Sequence, residues 1–174
     1  MERLLIIGSP GAGKSTLAVE VARRTGLPLI HLDRLHWKPG WIESGKEEFD
    51  SKVSEAIAGP RWVIEGNYGR TLPLRLTRAD TVVDLDLPRW QCVLGILRRA
   101  LVHRGRTRSD MAPGCPEQLN REFLLYTIRF GGRGRHRIEQ ALRPFAGRRI
   151  RLRSRREVRR FLDGLAVAGP GRRP

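Results

Sequence analysis

Five short apolar runs punctuate the chain: Arg3 to Ile7, Leu29 to Leu32, Trp62 to Glu65, Thr81 to Leu87 and Arg149 to Leu152. Each is too short for a helix and too continuous for a strand with one wet face, so they predict buried parallel strands. Helical spacing fills the gaps. Leu17 and Val21 give Ser15 to Arg24 one apolar face, and Thr25-Gly26-Leu27-Pro28 ends it. Ser44-Gly45-Lys46-Glu47 predicts a capping box opening a second helix, with Phe49, Val53, Ala56 and Ile57 inside and Gly59-Pro60 as the stop. Trp90, Val93, Leu94, Leu97 and Leu101 mark a third helix, while Phe123, Ile128 and Phe130 mark another that Gly131-Gly132-Arg133-Gly134 interrupts. A second capping box, Ser154-Arg155-Arg156-Glu157, precedes the stripe Val158, Phe161, Leu162 and Leu165, which predicts core packing.

Strands alternating with helices predict an α/β, three-layer fold: a five-stranded parallel sheet with helices on both faces and ligands at the carboxyl ends of the strands. The expected organisation is one domain over residues 1–168 with a disordered tail at 169–174. Asp33 to Ser44 and Arg104 to Pro116 are too irregular to be crossovers alone and are expected to overhang the site. The second of these, rich in Arg, Gly and Pro, offers little to pack and reads as a segment mobile until ligand orders it. No run approaches the length of a membrane span and no cleavable signal precedes the first strand, so a cytoplasmic protein with no membrane partner is expected. Cys92 and Cys115 have neither a C-x-x-C spacing nor a histidine pair nearby and read as free thiols.

The net charge of +16 changes the picture of partners but not of fold. Only four of the 34 basic residues are lysines, so a lysine kept at a special position is informative. Lys14 is such a case. Gly8-Ser9-Pro10-Gly11-Ala12-Gly13-Lys14-Ser15 matches the phosphate-binding pattern G-x-x-x-x-G-K-[ST] between a predicted strand and helix. Its glycines let backbone N–H groups curl toward a polyphosphate, and the helix adds its positive end. Gly8 to Ser15 and the following Thr16 are therefore the expected ATP cradle, with Lys14 reaching the β and γ phosphates and Ser15 ligating Mg²⁺.

Two carboxylates close strands beside this loop. Asp33 follows the second strand and is suited either to take the proton of an acceptor hydroxyl or to hold a magnesium-bound water; Glu65 ends the third and is placed to steady the metal shell. Asn67 and Arg70, in the loop after Glu65, are candidate acceptor ligands, as are His36 and Trp37, while Trp37 and Trp41 stand equally as ring platforms or as core. Arg98, Arg99, Arg104, Arg106 and Arg108 read as a lid over 104–116, with Arg99 and Arg104 placed as catalytic and Arg104 and Arg108 on ATP.

These motifs carry a resemblance. With the phosphate loop, the runs His31-Leu32-Asp33-Arg34-Leu35-His36-Trp37-Lys38-Pro39-Gly40-Trp41, Ile64-Glu65-Gly66-Asn67-Tyr68 and Arg106-Thr107-Arg108-Ser109-Asp110-Met111-Ala112-Pro113-Gly114-Cys115-Pro116-Glu117 are similar to adenylate-kinase-related P-loop proteins labelled DNA topology modulation proteins. The resemblance spans roughly residues 1 to 165. It implies a nucleoside-monophosphate-kinase fold with strand order 2-3-1-4-5, an acceptor region at 33–60 and a short lid. Glu65-Gly66-Asn67 stands where adenylate kinases carry Asp-Gly-Phe-Pro-Arg. The leading expectation is an ATP- and Mg²⁺-dependent phosphotransferase acting on a small acceptor, a nucleotide or nucleoside among the options. A nucleotide-binding, DNA-associated regulator is the alternative, and a catalytically silent ATP-binding module is a third. Sixteen arginines against four acids after residue 120 suit phosphate contacts, but no base-reading motif accompanies them, so nucleic-acid binding is expected to be weak and non-specific.

Overall fold

The computed structural model describes residues 1–118 and 120–165. The tail expected at 169–174, and the last residues of the expected domain, lie outside the described residues. In chain order the elements are β1 (Arg3–Gly8), α1 (Lys14–Thr25), β2 (Leu29–His31), α2 (Leu32–His36), β3 (Trp37–Lys38), β4 (Ile42–Glu43), α3 (Lys46–Ala56), β5 (Trp62–Glu65), α4 (Leu72–Arg78), β6 (Thr81–Leu85), α5 (Arg89–Val102), α6 (Arg121–Phe130), α7 (Arg133–Leu142), β7 (Arg148–Leu152) and α8 (Arg155–Asp163).

Five strands form one parallel sheet in the order β2-β5-β1-β6-β7, which is the expected 2-3-1-4-5 once the small β3–β4 hairpin is set aside. Side chains alternate across it. Leu5 and Ile7 join Phe49, Val53, Leu72, Leu76, Ile138 and Leu142 on the face covered by α3, α4 and α7. Leu4 and Ile6 join Leu17, Ala18 and Val21 of α1 on the other. Val158, Phe161, Leu162 and Leu165 pack against that second core, as their spacing predicts. Among the described residues no helix is long and apolar enough to cross a membrane.

Several local expectations are corrected. The Ser44 capping box does not form: α3 begins at Lys46 behind Gly45, and the Ser44 hydroxyl instead donates to the Leu35 carbonyl at 3.4 Å, because the chain must first close the hairpin. The Ser154 box does form, with Ser154 Oγ accepting from the Glu157 N–H and Glu157 Oε2 accepting from the Arg153 N–H. The second strand stops at His31, so Asp33 sits in the first turn of α2 rather than on a strand-end loop. The Gly131–Gly134 break is also shorter than its glycines suggest, since α7 resumes at Arg133.

The third helical stripe forms a helix, α5, but faces outward. Trp90, Leu94 and Leu101 are exposed, while Cys92 and Ile96 are buried against the phosphate loop. Gly95 explains the choice of face. A Cβ there would sit 2.3 Å from the Gly11 carbonyl oxygen, so its absence lets the helix backbone lie directly on the loop.

Candidate active site

The register of β1, β2 and β5 builds the site. Ile6 pairs with Glu65 and Glu65 with His31, so the carboxyl ends of three strands converge beside the loop that leaves β1. In that loop Gly8, Gly11 and Gly13 adopt φ of 137°, 74° and 93°, the left-handed region that favours glycine. Gly11 shows why no other residue fits: an added Cβ would stand 2.1 Å from the Cys92 carbonyl oxygen. The curl points the start of α1 and its free N–H groups into the site.

The Lys14 ammonium donates to the Gly8 and Ser9 carbonyls, each at 3.2 Å. Removal from water lowers its pKa, an effect that Glu65 and Asp33 oppose. Ser15 Oγ donates to Glu65 Oε1 at 3.1 Å, and the same oxygen meets His31 Nδ1 at 2.9 Å. Asp33 lies on the other side of this group and accepts from the Tyr68 hydroxyl at 2.6 Å. Burial raises the Asp33 pKa above the ordinary carboxylate value; the Tyr68 hydrogen bond lowers it, and the charge of Glu65 raises it again. Two carboxylates, one lysine and one hydroxyl thus share a single recess.

Asn67 reaches into the loop as well. Its Oδ1 accepts from the Gly8 N–H at 3.1 Å and its Nδ2 donates to the Gly8 carbonyl at 2.9 Å, so both ends of the amide expected to meet an acceptor grip the phosphate loop. Arg70 is exposed and donates to Asp50 at 2.5 Å and to the Lys46 carbonyl, which ties the loop after β5 to α3. His36 is wedged among the rings of Trp37, Phe49 and Tyr68 at centroid distances of 4.8–5.0 Å, and burial lowers its pKa. Thr16 is exposed on the first turn of α1.

The segment 104–116 has a core of its own, against the expectation from its composition. Met111, Ala112 and Cys115 are buried and pack on Trp37 and Trp41 of the β3–β4 hairpin. Backbone bonds from Gly40 N–H to the Gly114 carbonyl (2.9 Å) and from Trp41 Nε1 to the Pro116 carbonyl (3.1 Å) lay it down. The two tryptophans left open as platform or core pack here against this segment. Composition hid this because three modest apolar residues suffice when two tryptophans supply the opposing surface. Cys92 and Cys115 are both buried free thiols.

The family model of the isopentenyl transferases matches residues 1–55, which run from β1 into α3 and carry the phosphate loop and Asp33 but not Glu65 or the segment 104–116. No curated protein matches the chain. Among solved structures, a sugar kinase from Janibacter sp. HTCC2649 superposes with a TM-score of 0.52 at 19% identity, over 97% of this chain and 96% of that one. The shikimate kinase of Bacteroides thetaiotaomicron gives 0.52 at 20% identity over 93% and 94%. That of Acinetobacter baumannii, in complex with shikimate, gives 0.54 at 17% over 94% and 89%. The fold is that of the P-loop kinases. At these identities the likeness is one of fold, and residue roles rest on the geometry above.

Within this P-loop kinase fold, three residues that sequence reasoning passed over organise the site. Glu117, buried, takes Arg99 Nε at 3.0 Å and Arg108 Nε at 2.9 Å, while Asp110 takes Arg108 Nη1 at 3.1 Å. Arg99 and Arg108 are therefore held in position by acids close by in the sequence. Arg104 is exposed, with no ion-pair partner among the described residues. Arg75 is the third. It is wholly buried without a carboxylate partner, and it donates to the carbonyls of Gly66 (3.0 Å), Asn67 (2.6 Å) and Tyr68 (3.0 Å). Its only advance signal was an arginine at i+3 of a short apolar pattern, Leu72 and Leu76, after the site loop.

Proposed function

We propose that the protein is an ATP-dependent phosphotransferase of the nucleoside-monophosphate-kinase type, passing the γ-phosphoryl group to an oxygen of a small acceptor. The observation that carries this reading is the pair of carboxylates beside Lys14: Glu65, at the end of β5 and bonded to Ser15, and Asp33, in the first turn of α2 with a raised pKa. In-line transfer needs charge neutralisation at the phosphates and an acceptor oxygen that can lose its proton. Lys14 and the N–H groups of the loop from Gly8 to Thr16 supply the first. Asp33 supplies the second: it takes the acceptor proton as the new O–P bond forms and the bond to ADP breaks.

Ser15 and Glu65 offer two hard oxygen donors about one hydrogen bond apart, which suits Mg²⁺, a cation that takes one or two protein oxygens and keeps phosphates and waters for the rest. Bound there, the ion would neutralise charge between the β and γ phosphates. Residues 33–60 form the acceptor side, with His36 and Trp37 as its wall, and 104–116 form the lid. Arg99 and Arg108 face the transferring group from their carboxylate supports, and Arg104 closes over ATP.

A hydroxyl is the favoured acceptor group. Asp33 has the raised pKa of a base for it, Arg70 is spent on Asp50 rather than free for an anion, and the sugar and shikimate kinases that share the fold are named for hydroxylic substrates. The DNA-associated regulator rests on the resemblance and on basic charge, and gains nothing from this geometry. The test is a screen of sugars, other small polyols, nucleosides and nucleotides for acceptor-dependent ADP release. Release with no acceptor above the solvent rate would sink the proposal.

Two variants separate the carboxylates. Glu65→Gln is expected to raise the magnesium concentration needed for half-maximal turnover, and an unchanged magnesium dependence would count against its metal role. Tyr68→Phe reports on Asp33. The Tyr68 hydroxyl favours the charged carboxylate, so its loss raises the Asp33 pKa further, and the proton-accepting form is lost at pH values where the parent still has it. The acidic limb of the kcat/KM profile is therefore expected to move to higher pH; a limb that stays or moves down refutes Asp33 as the base.

A further inference from the structure

The outer face of α5 is apolar and exposed. Trp90, Leu94, Leu101 and Val102 are 63%, 54%, 78% and 60% exposed. Residues 90, 94, 97 and 101 fall on one helical face, so this is a continuous ridge rather than scattered surface residues. Beside it, α6 adds exposed Leu125 and Tyr126. A soluble chain rarely leaves so much aliphatic and aromatic surface in water without a use for it.

The ridge is bordered by one sign of charge. Arg89 opens the helix beside Trp90, Arg98 falls on the wheel next to Leu94 on the side away from Leu101, and Arg106 follows the helix end. All three are exposed, and none has an ion-pair partner among the described residues. From Leu87 to Ser109 the chain holds no acidic residue. We infer that this face of α5 docks on an anionic lipid bilayer surface. The sequence reading expected no membrane partner, because it looked only for a spanning helix, and this face needs none.

Charge decides between occupants. A second copy of the chain would bring the same unpaired arginines against one another in an interface of falling dielectric, which opposes the gain from burying the ridge. A nucleic acid would satisfy the arginines but leave Trp90, Leu94 and Leu101 in water. An anionic bilayer serves both groups: aliphatic chains and the indole enter the boundary between headgroups and acyl chains, and guanidinium groups meet lipid phosphates. Docking on this side also leaves the inner face of α5, with Gly95 on the phosphate loop, turned toward the protein.

The experiment is co-sedimentation of the full chain with vesicles of phosphatidylcholine alone and of phosphatidylcholine mixed with phosphatidylglycerol, at near-physiological salt. Binding to the mixed vesicles is expected to exceed that to the neutral ones by at least about tenfold. The double variant Leu94→Asp with Leu101→Asp, checked for parental circular dichroism, is expected to lose at least about tenfold in that binding. Because both residues are exposed, neither substitution disturbs the core. Brominated acyl chains should quench part of the tryptophan emission, and Trp90→Phe should remove that quenched part. Three results overturn the inference: equal binding of parent and double variant, which means adsorption by arginines alone; equal binding to both vesicle types, or to neither; and a sedimentation-equilibrium dimer that the double variant dissolves while the parent ignores vesicles.

Discussion

Lys14→Ala is expected to lower ATP turnover by at least about a hundredfold, equivalent to about 2.7 kcal/mol of transition-state stabilisation, with the fold intact. The ammonium is the only lysine in the recess and sits inside the loop that Gly8, Gly11 and Gly13 curl. The loop keeps its shape without it, because Asn67 bonds both the N–H and the carbonyl of Gly8 and the glycine conformations are set by close backbone packing. Stability should therefore change little while rate collapses. Steady-state ADP release beside a denaturant titration makes the comparison, and parental turnover in a folded Lys14→Ala protein would remove the loop from the active site.

Arg75→Met should act in the opposite order, on stability first. The side chain is wholly buried, and burial pulls its pKa down to about 9, yet it faces no carboxylate; three carbonyl oxygens hold its charge. Methionine fills similar volume but leaves the carbonyls of Gly66 and Asn67 without their donors, while that of Tyr68 keeps the Thr71 N–H at 3.1 Å. Each orphaned buried acceptor costs about 1–3 kcal/mol, and relief from burying a cation returns part of this, so a net loss of about 3 kcal/mol is expected by urea denaturation. Tyr68 has a φ of 28°, a strained setting for a bulky residue that the Arg75 bond to its carbonyl helps to hold. Turnover should fall too, since Tyr68 orients Asp33 and Asn67 grips Gly8. Lysine is a poor replacement, because one ammonium cannot span three carbonyls as a guanidinium fork does. A fully stable Arg75→Met protein would show that the loop is anchored elsewhere.

What the sequence determined by itself was the part governed by short-range rules. Short, continuous apolar runs give the five sheet strands. The G-x-x-x-x-G-K-[ST] spacing gives the phosphate loop, because its glycines answer a backbone need that no other residue meets. The position of Glu65 at the end of its strand followed from those two facts together, whereas the placing of Asp33 in the first turn of α2 did not. Ser154 and Glu157 were readable as a cap because their partners lie within one helical turn.

Only the tertiary structure decided the rest, for one physical reason: the deciding partner is distant in sequence. Ser44 fails to cap α3 because the hairpin claims it. The apolar stripe of α5 turns outward because Gly95 meets the Gly11 carbonyl 84 positions earlier, which puts Cys92 and Ile96 inside. The segment 104–116 finds a core because Trp37 and Trp41 wait on a hairpin, the second of them 75 residues before Pro116. Asn67 and Arg70 are engaged with Gly8 and Asp50, contacts that no local pattern announces. Propensity and periodicity describe what a residue prefers; which neighbour satisfies that preference is settled by packing and by where the strand ends bring the loops.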